Sequence, residues 1–249
     1  MAEDQRLILE LKNIQKSFGS LKALDDVSLD LQFGEVLGLV GDNAAGKSTL
    51  MKILSGFYQA DKGSIFVEGK QVHIDLPKVS KRLGIEMVYQ NLELCSNMNV
   101  AENLFLGREI LREPFFKFIN GKEMESQSIK ILKKLKIDIS DPRKRVDKLS
   151  GGQQQAVAIS KAVSFNPKMI ILDEPTANLA VKEIGKVLDT ITRLKEHGIP
   201  AIFISHRLDD IFQVCDRIFV LRGGRRVAVH KTNETNRDEI IRHMFLGKD

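Results

Sequence analysis

A glycine-rich loop between an apolar run and a helical pattern constrains the fold more than any other part of the sequence. The run Val36–Val40 is entirely apolar, which is typical of a strand buried on both faces of a mostly parallel sheet. Apolar residues at 50, 53 and 54 predict a helix behind the loop. The loop has the pattern glycine, four arbitrary residues, glycine, lysine and serine. Its residues are Gly41, Asp42, Asn43, Ala44, Ala45, Gly46, Lys47, Ser48 and Thr49.

This loop is suited to binding the phosphates of a nucleotide. Its successive backbone N–H groups can face inward, and the helix N-terminus adds a partial positive charge. Lys47 would reach the β- and γ-phosphates, and the Ser48 hydroxyl would bind Mg²⁺. A chance glycine-rich turn is the alternative, and the strand–loop–helix context argues against it. Ala44 stands where glycine is frequent, so a positive φ there would cost free energy.

A second apolar run, at 169–172, ends in two acidic residues. Asp173 would contact Mg²⁺ directly or through water. Glu174 would lie nearest the attacking water, as a general base or water-orienting group. Taken alone, these residues could be the charged end of a core strand. Together with the glycine-rich loop, they predict a nucleoside triphosphatase.

The remaining pattern predicts one α/β core interrupted by helices. An amphipathic helix is expected at 181–194, with Gly198 near its C-cap, and the region 92–165 has helical rather than strand-like patterns. We therefore predict a helical subdomain at about 92–162. Strands are expected at 8–14, 27–31, 35–40, 64–67, 71–74, 169–172, 201–205 and 218–229, the last broken by Gly223 and Gly224.

Composition excludes several classes of protein. The two cysteines, Cys95 and Cys215, have no pairing or metal-binding pattern, which predicts neither a disulfide nor zinc and fits a reducing compartment. The segment 1–5 is acidic and lacks the basic and apolar regions of a signal peptide. The apolar runs of the chain are too short to span a bilayer. Net charge is only +5, and the short basic clusters are not interleaved with aromatics, so we expect no nucleic-acid partner.

The segment 149–153, Leu-Ser-Gly-Gly-Gln, lies between the two nucleotide motifs. Ser150 would cap a helix running to about Val163, leaving an anion-binding N-terminus with exposed N–H groups. An ordinary capped helix is the alternative. The segment resembles the signature sequence of ABC ATPases. In that family the signature faces the γ-phosphate bound to a second subunit, which implies this role for Ser150, Gly151, Gly152 and Gln153.

Three further residues match motifs of this family in the expected order. Gln90 resembles the Q-loop glutamine, which reaches Mg²⁺ and water and touches the transporter partner. His206 resembles the switch histidine that contacts the γ-phosphate, although a lone histidine at a strand end is usually structural. Phe18 occupies the place of the aromatic that stacks on adenine, with a core phenylalanine as the alternative.

The resemblance covers the chain from residue 9 to about 247. It implies a P-loop NTPase (RecA-like) α/β core, an N-terminal antiparallel β-subdomain and the inserted α-helical subdomain. All form a single ABC ATPase domain, 1–249, in which the core and β-subdomain occupy about 1–91 and 163–249. ATP and Mg²⁺ are the implied cofactors. The segment 177–180 departs from the usual D-loop, which ends in an acidic residue, so communication between subunits would be altered.

Stretches at 100–109, 174–179 and 204–212 resemble the ATPases of monosaccharide importers for ribose, xylose or fructose. The resemblance implies transmembrane permease subunits as partners and, indirectly, an extracytoplasmic sugar-binding protein. The chain would lie in the cytoplasm on the inner face of the cell membrane. Since many of these ATPases carry two nucleotide domains and this chain has one, it would form a homodimer or pair with a second ATPase chain.

Non-transport ABC ATPases are the alternative class. DNA-repair and chromosome machines need a long coiled coil or cysteine-rich zinc modules, and translation factors need two nucleotide domains. An iron–sulfur assembly ATPase is nearest in size, but the three glutamines at 153–155 and the importer-like stretches favour transport. A regulatory module that binds nucleotide without turnover conflicts with Glu174.

Overall fold

The structure, a computed structural model, describes residues 6–112 and 118–245. The acidic segment 1–5 and the ends of the predicted domain 1–249 lie outside these residues. The described chain contains strands, α-helices and two 3-10 helices (Val146–Lys148 and Thr232–Glu234). The strands are β1 (Leu7–Phe18), β2 (Leu21–Gln32), β3 (Val36–Val40), β4 (Lys62–Val67), β5 (Lys70–Val72), β6 (Ile85–Val88), β7 (Met169–Asp173), β8 (Ala201–Ile204), β9 (Arg217–Arg222) and β10 (Arg225–Lys231). The α-helices are α1 (Lys47–Leu54), α2 (Pro77–Arg82), α3 (Val100–Phe105), α4 (Gly121–Lys134), α5 (Gly151–Val163), α6 (Val181–Glu196), α7 (Leu208–Val214) and α8 (Arg237–Phe245).

The central sheet has the strand order β10-β9-β3-β8-β7-β6. Its strands from β9 to β6 are parallel, and β10 joins the edge as the antiparallel partner of β9. All five residues of β3 are buried. Leu37 and Leu39 point into the apolar cluster on one face, and Val36 and Val40 point into the cluster on the other. The prediction of a strand buried on both faces is confirmed.

The second sheet is antiparallel, with the strand order β2-β1-β4-β5, which confirms the expected β-subdomain. Its first two strands are longer than the predicted 8–14 and 27–31, and they nearly meet at a tight turn. The pattern was misleading here because the β1–β2 ladder has register shifts, and both Asn13 and Asp26 adopt positive φ. Such bulges break the alternation of polar and apolar residues by which strands are recognised.

Apolar side chains form three clusters. One lies between the β-subdomain, α1 and one face of the central sheet, and a second lies between the other face and α5 to α8. A third joins α3, α4 and the N-terminal part of α5, with Leu104, Leu132 and Val157 among its buried members. This separate cluster is consistent with a helical subdomain, whose bounds of 92–162 remain a prediction.

None of the helices within residues 6–112 and 118–245 combines the length and apolar character needed to cross a bilayer.

Candidate functional site

The carboxyl ends of four neighbouring parallel strands lie at one edge of the central sheet. β3 leads into the glycine-rich loop, β7 ends at Asp173, β8 ends two residues before His206, and β6 ends two residues before Gln90. The ladder aligns Ile204 of β8 with both Leu39 of β3 and Asp173 of β7. Ligands of open α/β sheets bind at this edge. The fold therefore brings most of the sequence-predicted site residues together.

Gly41 and Gly46 permit a backbone path that other residues would block. A Cβ on Gly41 would stand 2.1 Å from the carbonyl oxygen of Leu221, and one on Gly46 would stand 2.6 Å from that of Ala23. Gly46 has φ of 104° and is the N-cap of α1, with no side chain capping the helix. The first N–H groups of α1 therefore lack a side-chain partner, as required for binding an anion.

The remaining loop residues differ in exposure. Asn43, Ala44 and Ser48 are exposed, Asp42 and Thr49 are partly buried, and Ala45 is buried. Ala44 has φ of 71°. Ala44 therefore has the positive φ that costs free energy for alanine but not for glycine.

Lys47 is folded back into the loop. Its buried Nζ donates hydrogen bonds to the carbonyl oxygens of Gly41, at 2.7 Å, and Asp42, at 2.8 Å. Burial lowers the pKa of Lys47, and the nearby carboxylates of Glu174, Asp42 and Asp173 oppose this effect. The ammonium group thus lies inside the loop, close to the acidic residues that follow β7.

Asp173 and Glu174 form an acidic pair beside this lysine. Burial raises the pKa of Asp173, and the charge of Glu174 raises it further, whereas Lys47 and His206 lower it. The backbone N–H of Glu174 donates to the carbonyl oxygen of Ile204 at 3.0 Å, and Glu174 has φ of 50°. The turn after β7 is therefore anchored to the end of β8.

His206 contacts the second of these acids. Its Nε2 lies 2.6 Å from Oε1 of Glu174, and about half of the histidine side chain is exposed. The contact joins the ends of β7 and β8. It is made by the two side chains for which the sequence predicted a general base, Glu174, and a γ-phosphate contact, His206.

Gln90 is exposed on the loop after β6. The neighbouring Tyr89 packs edge-on against the ring of Phe57, which is itself 59% exposed. A cavity of about 260 Å³ lies beside this loop, with Tyr89, Leu92 and Arg108 in its lining. Gln90 therefore directly follows a residue that lines an open concave surface.

The signature residues form the predicted cap of α5. Ser150 Oγ accepts from the N–H of Gln153 at 3.3 Å, and Gln153 Oε1 accepts from the N–H of Ser150 at 3.2 Å. Gly151 and Gly152 follow as the first residues of α5. The Ser150 hydroxyl and the N–H groups of Gly152 and Ala180 hold the pKa of Glu183, on α6, below its ordinary value. In this structure the signature thus faces the start of α6.

Glu183 was not among the sequence-predicted site residues. It is the third residue of α6, and the N-cap of that helix, Ala180, has no side chain able to cap it. The only available signal was a capping pattern, since glutamate at the third helical position often bonds back to the N-cap N–H. Its hydrogen bond with Ser150, which lies 33 positions earlier in the chain, could not be predicted from the residues around Glu183.

A second missed pair lies behind the strand-end site. The Thr176 hydroxyl donates to Asp210 Oδ2 at 2.6 Å, and both residues are buried. Asp210 Oδ1 also accepts from Nε of Arg207 at 3.2 Å. These bonds tie the turn carrying Glu174 to the helix that follows His206.

Phe18 lies at the end of β1, where the sequence suggested an aromatic for stacking. The ring is 41% exposed, packs edge-on against Tyr58 at 5.1 Å and has Lys16 Nζ 5.5 Å from its centroid. The β1–β2 hairpin also approaches the glycine-rich loop, because Ala23 lies next to Gly46. One face of Phe18 can therefore receive a planar group near that loop.

The residues fit a nucleotide and a hard cation. The uncapped N-terminus of α1 and the buried ammonium of Lys47 form a cradle of the size and charge that phosphates need. Ser48, Gln90 and Asp173 offer only oxygen ligands, which Mg²⁺ prefers. Burial and, to a smaller extent, the charge of Glu174 raise the pKa of Asp173, and a bound cation would favour its ionised form.

Comparison with known proteins places this geometry in one family. The family model described as ABC transporter matches residues 24–177. The xylose/arabinose import ATP-binding protein XylG of Sulfolobus acidocaldarius is 45% identical over 97% of this chain and 96% of its own length. The ribose import ATP-binding protein RbsA of Geobacillus kaustophilus is 44% identical over 97% of this chain but 48% of its own length. A crystal structure of a nucleotide-free ATP-binding cassette from an ABC transporter is 33% identical, with a TM-score of 0.81 and coverage of 96% of this chain and 95% of that one.

The fold and the strand-end site define a P-loop nucleotide-binding protein. The chain belongs to the ABC transporter family, of which it is an ATP-binding cassette. It spans nearly the whole of the Sulfolobus relative and about half the length of the ribose relative.

Proposed function

We propose that this chain hydrolyses ATP to drive a membrane importer for a monosaccharide. The observation that carries the proposal is the contact between Glu174 and His206 beside the phosphate loop, because it supports joint roles for Glu174 as base and His206 as phosphate sensor. The similarity over nearly the full chain to a xylose/arabinose import ATP-binding protein supports import and the sugar class.

Within one site, each residue has a distinct role. The loop 41–49 wraps the phosphates through its N–H groups, and Lys47 leaves its two carbonyl partners to neutralise the β- and γ-phosphates. Phe18 stacks on the adenine. Ser48, Asp173 and Gln90 would hold Mg²⁺, which when bound neutralises charge on the phosphates. Glu174 accepts a proton from the attacking water, and His206 contacts the γ-phosphate.

In the proposed mechanism, two nucleotide domains associate to form the complete ATP-binding sites. The signature residues form a capped helix N-terminus next to the start of α6, and the Ser150 hydroxyl would leave Glu183 to bind the γ-phosphate of a partner. Two domains in a head-to-tail pair would therefore enclose two ATP molecules. The partner domain would be another copy of this nucleotide domain or a different ATPase domain.

Closure of the pair would be passed to a permease through the segment after Gln90. The cavity beside this loop, with the exposed Phe57 at its rim, is concave and partly apolar, as suits a helix from a membrane partner. The chain would then work at the cytoplasmic face of the membrane, and the permease would receive sugar from an extracytoplasmic binding protein.

Purification of the tagged chain in gentle detergent from its native cells tests this proposal. We expect a multi-helix permease to co-purify, ideally with a sugar-binding protein, whereas a tagged unrelated cytoplasmic protein serves as the control. A partner set made only of soluble proteins, with the chain absent from membranes, would overturn the transporter. In that case a soluble ABC ATPase, such as one for iron–sulfur assembly, becomes the better assignment.

A further inference from the structure

Two histidines and a glutamate converge at the side of the molecule where β10 meets α8. His230 lies on β10, and Glu239 and His243 lie four residues apart on α8. One ring nitrogen from each histidine and one carboxylate oxygen of Glu239 all lie within 4.8 Å of one another. The His230 and His243 rings stack with centroids 5.2 Å apart at 26°. We call these three residues the histidine cluster.

The histidine cluster has unsatisfied ring nitrogens. Within the described part of the chain, neither Nε2 of His230 nor Nδ1 of His243 has a hydrogen-bond partner, and both atoms are shielded from solvent. A shielded polar atom without a partner is unfavourable, so it marks a place where a ligand can bind. Two stacked imidazolium rings would repel each other, whereas two neutral rings each offer one nitrogen lone pair.

Glu239, the third member of the histidine cluster, is oriented by a hydrogen bond. The Thr235 hydroxyl donates to its Oε2 at 2.5 Å. That hydrogen bond orients the carboxylate, as an outer hydrogen bond usually does for metal-binding carboxylates. Arg242 is the charged neighbour that would oppose a cation.

We propose that the histidine cluster binds a borderline divalent cation, with Zn²⁺ as the best match. Two imidazoles and a carboxylate suit Zn²⁺ and its neighbours Co²⁺, Ni²⁺ and Cu²⁺ rather than Mg²⁺ or Ca²⁺, which prefer oxygen ligands. Ligand atoms ~2.1 Å from Zn²⁺ lie ~3.4 Å from each other in a tetrahedron. Side-chain rotations that move the ligand atoms by about 1 Å would bring the present separations, which are up to 4.8 Å, to that value. A fourth position remains for water.

The cation would join the last strand of the central sheet to α8. Ile240 and Met244 already bury one side of this helix in the apolar core. Another side, with Arg237 and Ile241, lines a cavity of about 620 Å³ that includes Gly41 and His206. Metal binding at the histidine cluster would therefore fix a wall of the space next to the phosphate loop without contributing to the nucleotide site itself.

Metal binding by the tag-free full chain, without nucleotide and in metal-free buffer, tests the proposal. Co²⁺ is titrated while its visible absorption is followed, and Zn²⁺ is then added to displace it. We expect one ion per chain, and His230→Gln or His243→Gln should weaken binding by roughly tenfold or more. His73→Gln, which changes an exposed histidine outside the cluster, is the matched control and should bind as the unaltered chain does.

Two results would overturn the histidine cluster as a metal site. One is the absence of Co²⁺ and Zn²⁺ binding by the unaltered chain, and the other is equal binding by the His73, His230 and His243 variants. Circular dichroism checks that each variant is folded, and Glu239→Gln, which keeps both histidines, serves if one is not. Zn²⁺ should also raise the Tm of the unaltered chain but not that of the His230→Gln/His243→Gln double variant. Because no nucleotide is present, the outcome is independent of ATP hydrolysis.

Discussion

His206 donates a hydrogen bond from Nε2 to Oε1 of Glu174 across 2.6 Å. The direction follows because an ionised carboxylate can only accept, so Nε2 carries the proton in this contact. Before ATP binds, the proposed base is therefore engaged by the proposed γ-phosphate sensor. In the proposed mechanism this contact would loosen when His206 turns to the phosphate, and Glu174 would then be free to act on water.

Replacing this base should separate ATP binding from hydrolysis. We expect Glu174→Gln to bind ATP but to lose ~10²–10⁴-fold in turnover, since an amide cannot accept the proton of the attacking water. Closed ATP-bound dimers should accumulate. Phosphate release measures the first effect, and size-exclusion chromatography with and without MgATP measures the second.

Glu196→Gln, at the exposed end of α6, is the control and should leave both measurements unchanged. Normal turnover by Glu174→Gln would remove Glu174 from its role.

Glu183 should oppose the closing of the ATP dimer. Its carboxylate accepts hydrogen bonds from the Ser150 hydroxyl and the Gly152 N–H. These are the groups proposed to bind the partner's γ-phosphate. Glu183→Gln removes the competing negative charge, so the MgATP concentration needed for half-maximal dimerisation should fall several-fold. Light scattering during an ATP titration of the Glu174→Gln background measures it, again with Glu196→Gln for comparison. A higher MgATP requirement in the Glu183 variant would contradict this competition.

Ala44 is expected to be a mildly strained residue of the phosphate loop. Its left-handed conformation costs about 1–2 kcal/mol relative to glycine, while glycine would lose about 0.4–1 kcal/mol through a freer unfolded chain. Ala44→Gly should therefore leave ATP binding intact and raise the free energy of unfolding by about 0–1.6 kcal/mol. Urea denaturation measures the change.

The adjacent Ala45→Gly provides the contrast, because Ala45 is buried and is not among the positive-φ residues. It should destabilise the protein by about 1 kcal/mol. If both variants destabilised to the same degree, the strain assigned to Ala44 would be wrong.

A buried ion pair at the start of β9 should matter for stability. Arg217 Nε donates to Oε1 of Glu35 at 2.5 Å, and a second nitrogen donates to Oδ2 of Asp30 at 2.7 Å. Burial lowers the pKa of Arg217, but the bonds to Glu35 and Asp30 outweigh it and raise that pKa overall. Arg217→Met would leave the buried Glu35 carboxylate unpaired, so we expect a loss of about 3–5 kcal/mol in the free energy of unfolding.

The exposed pair of Arg143 and Asp141 is the natural control. Arg143→Met should change the denaturation midpoint little, since exposed pairs contribute little in water. A midpoint for Arg217→Met close to that of the control would show that Glu35 finds solvent when its partner is lost.

The two thiols should differ sharply in reactivity. Burial raises the pKa of the Cys215 thiol well above its ordinary value of 9.0, and Asp216 and Glu35 add to the effect. Iodoacetamide at pH 8 should therefore modify the partly exposed Cys95 first and Cys215 only as the protein unfolds. Mass spectrometry over time, with Cys95→Ser as control, checks the order, and rapid modification of Cys215 in the folded protein would contradict its burial.

The same thiol gives a pH dependence with a defined sign. A group whose pKa is higher in the folded state binds its proton more tightly there, so its contribution to stability is fully present below its unfolded pKa. That contribution is lost as the pH rises above about 9. Cys215→Ala should reduce the alkaline part of the stability loss.

Contiguous motifs made the centre of the molecule predictable. The buried strand Val36–Val40, the phosphate loop and the two acids at the end of β7 are each recognisable within a few residues. The central sheet and the strand-end residues could therefore be predicted from the sequence. β1 and β2 were harder, because bulges at Asn13 and Asp26 interrupt the alternation that marks a strand.

Relationships between distant segments were not accessible from the sequence. Glu183 is an unremarkable charged residue at the start of a helix until the fold brings it against Ser150. Likewise, the cysteine pattern predicted no zinc, and His230 shows no spacing motif with Glu239 and His243 because one lies on a strand and the others on a helix. The proposed metal site depends on tertiary packing alone.

The atoms nearest to a Cβ on Gly41 or Gly46 are main-chain carbonyl oxygens, of Leu221 and Ala23. A side chain that obstructs a neighbour can be trimmed by a compensating substitution elsewhere, but every residue type carries the same carbonyl group. A substitution at Leu221 or Ala23 would therefore leave in place the obstruction that a side chain at Gly41 or Gly46 would meet. At the exposed positions Asn43 and Ala44, by contrast, a different side chain would meet solvent and not a carbonyl group.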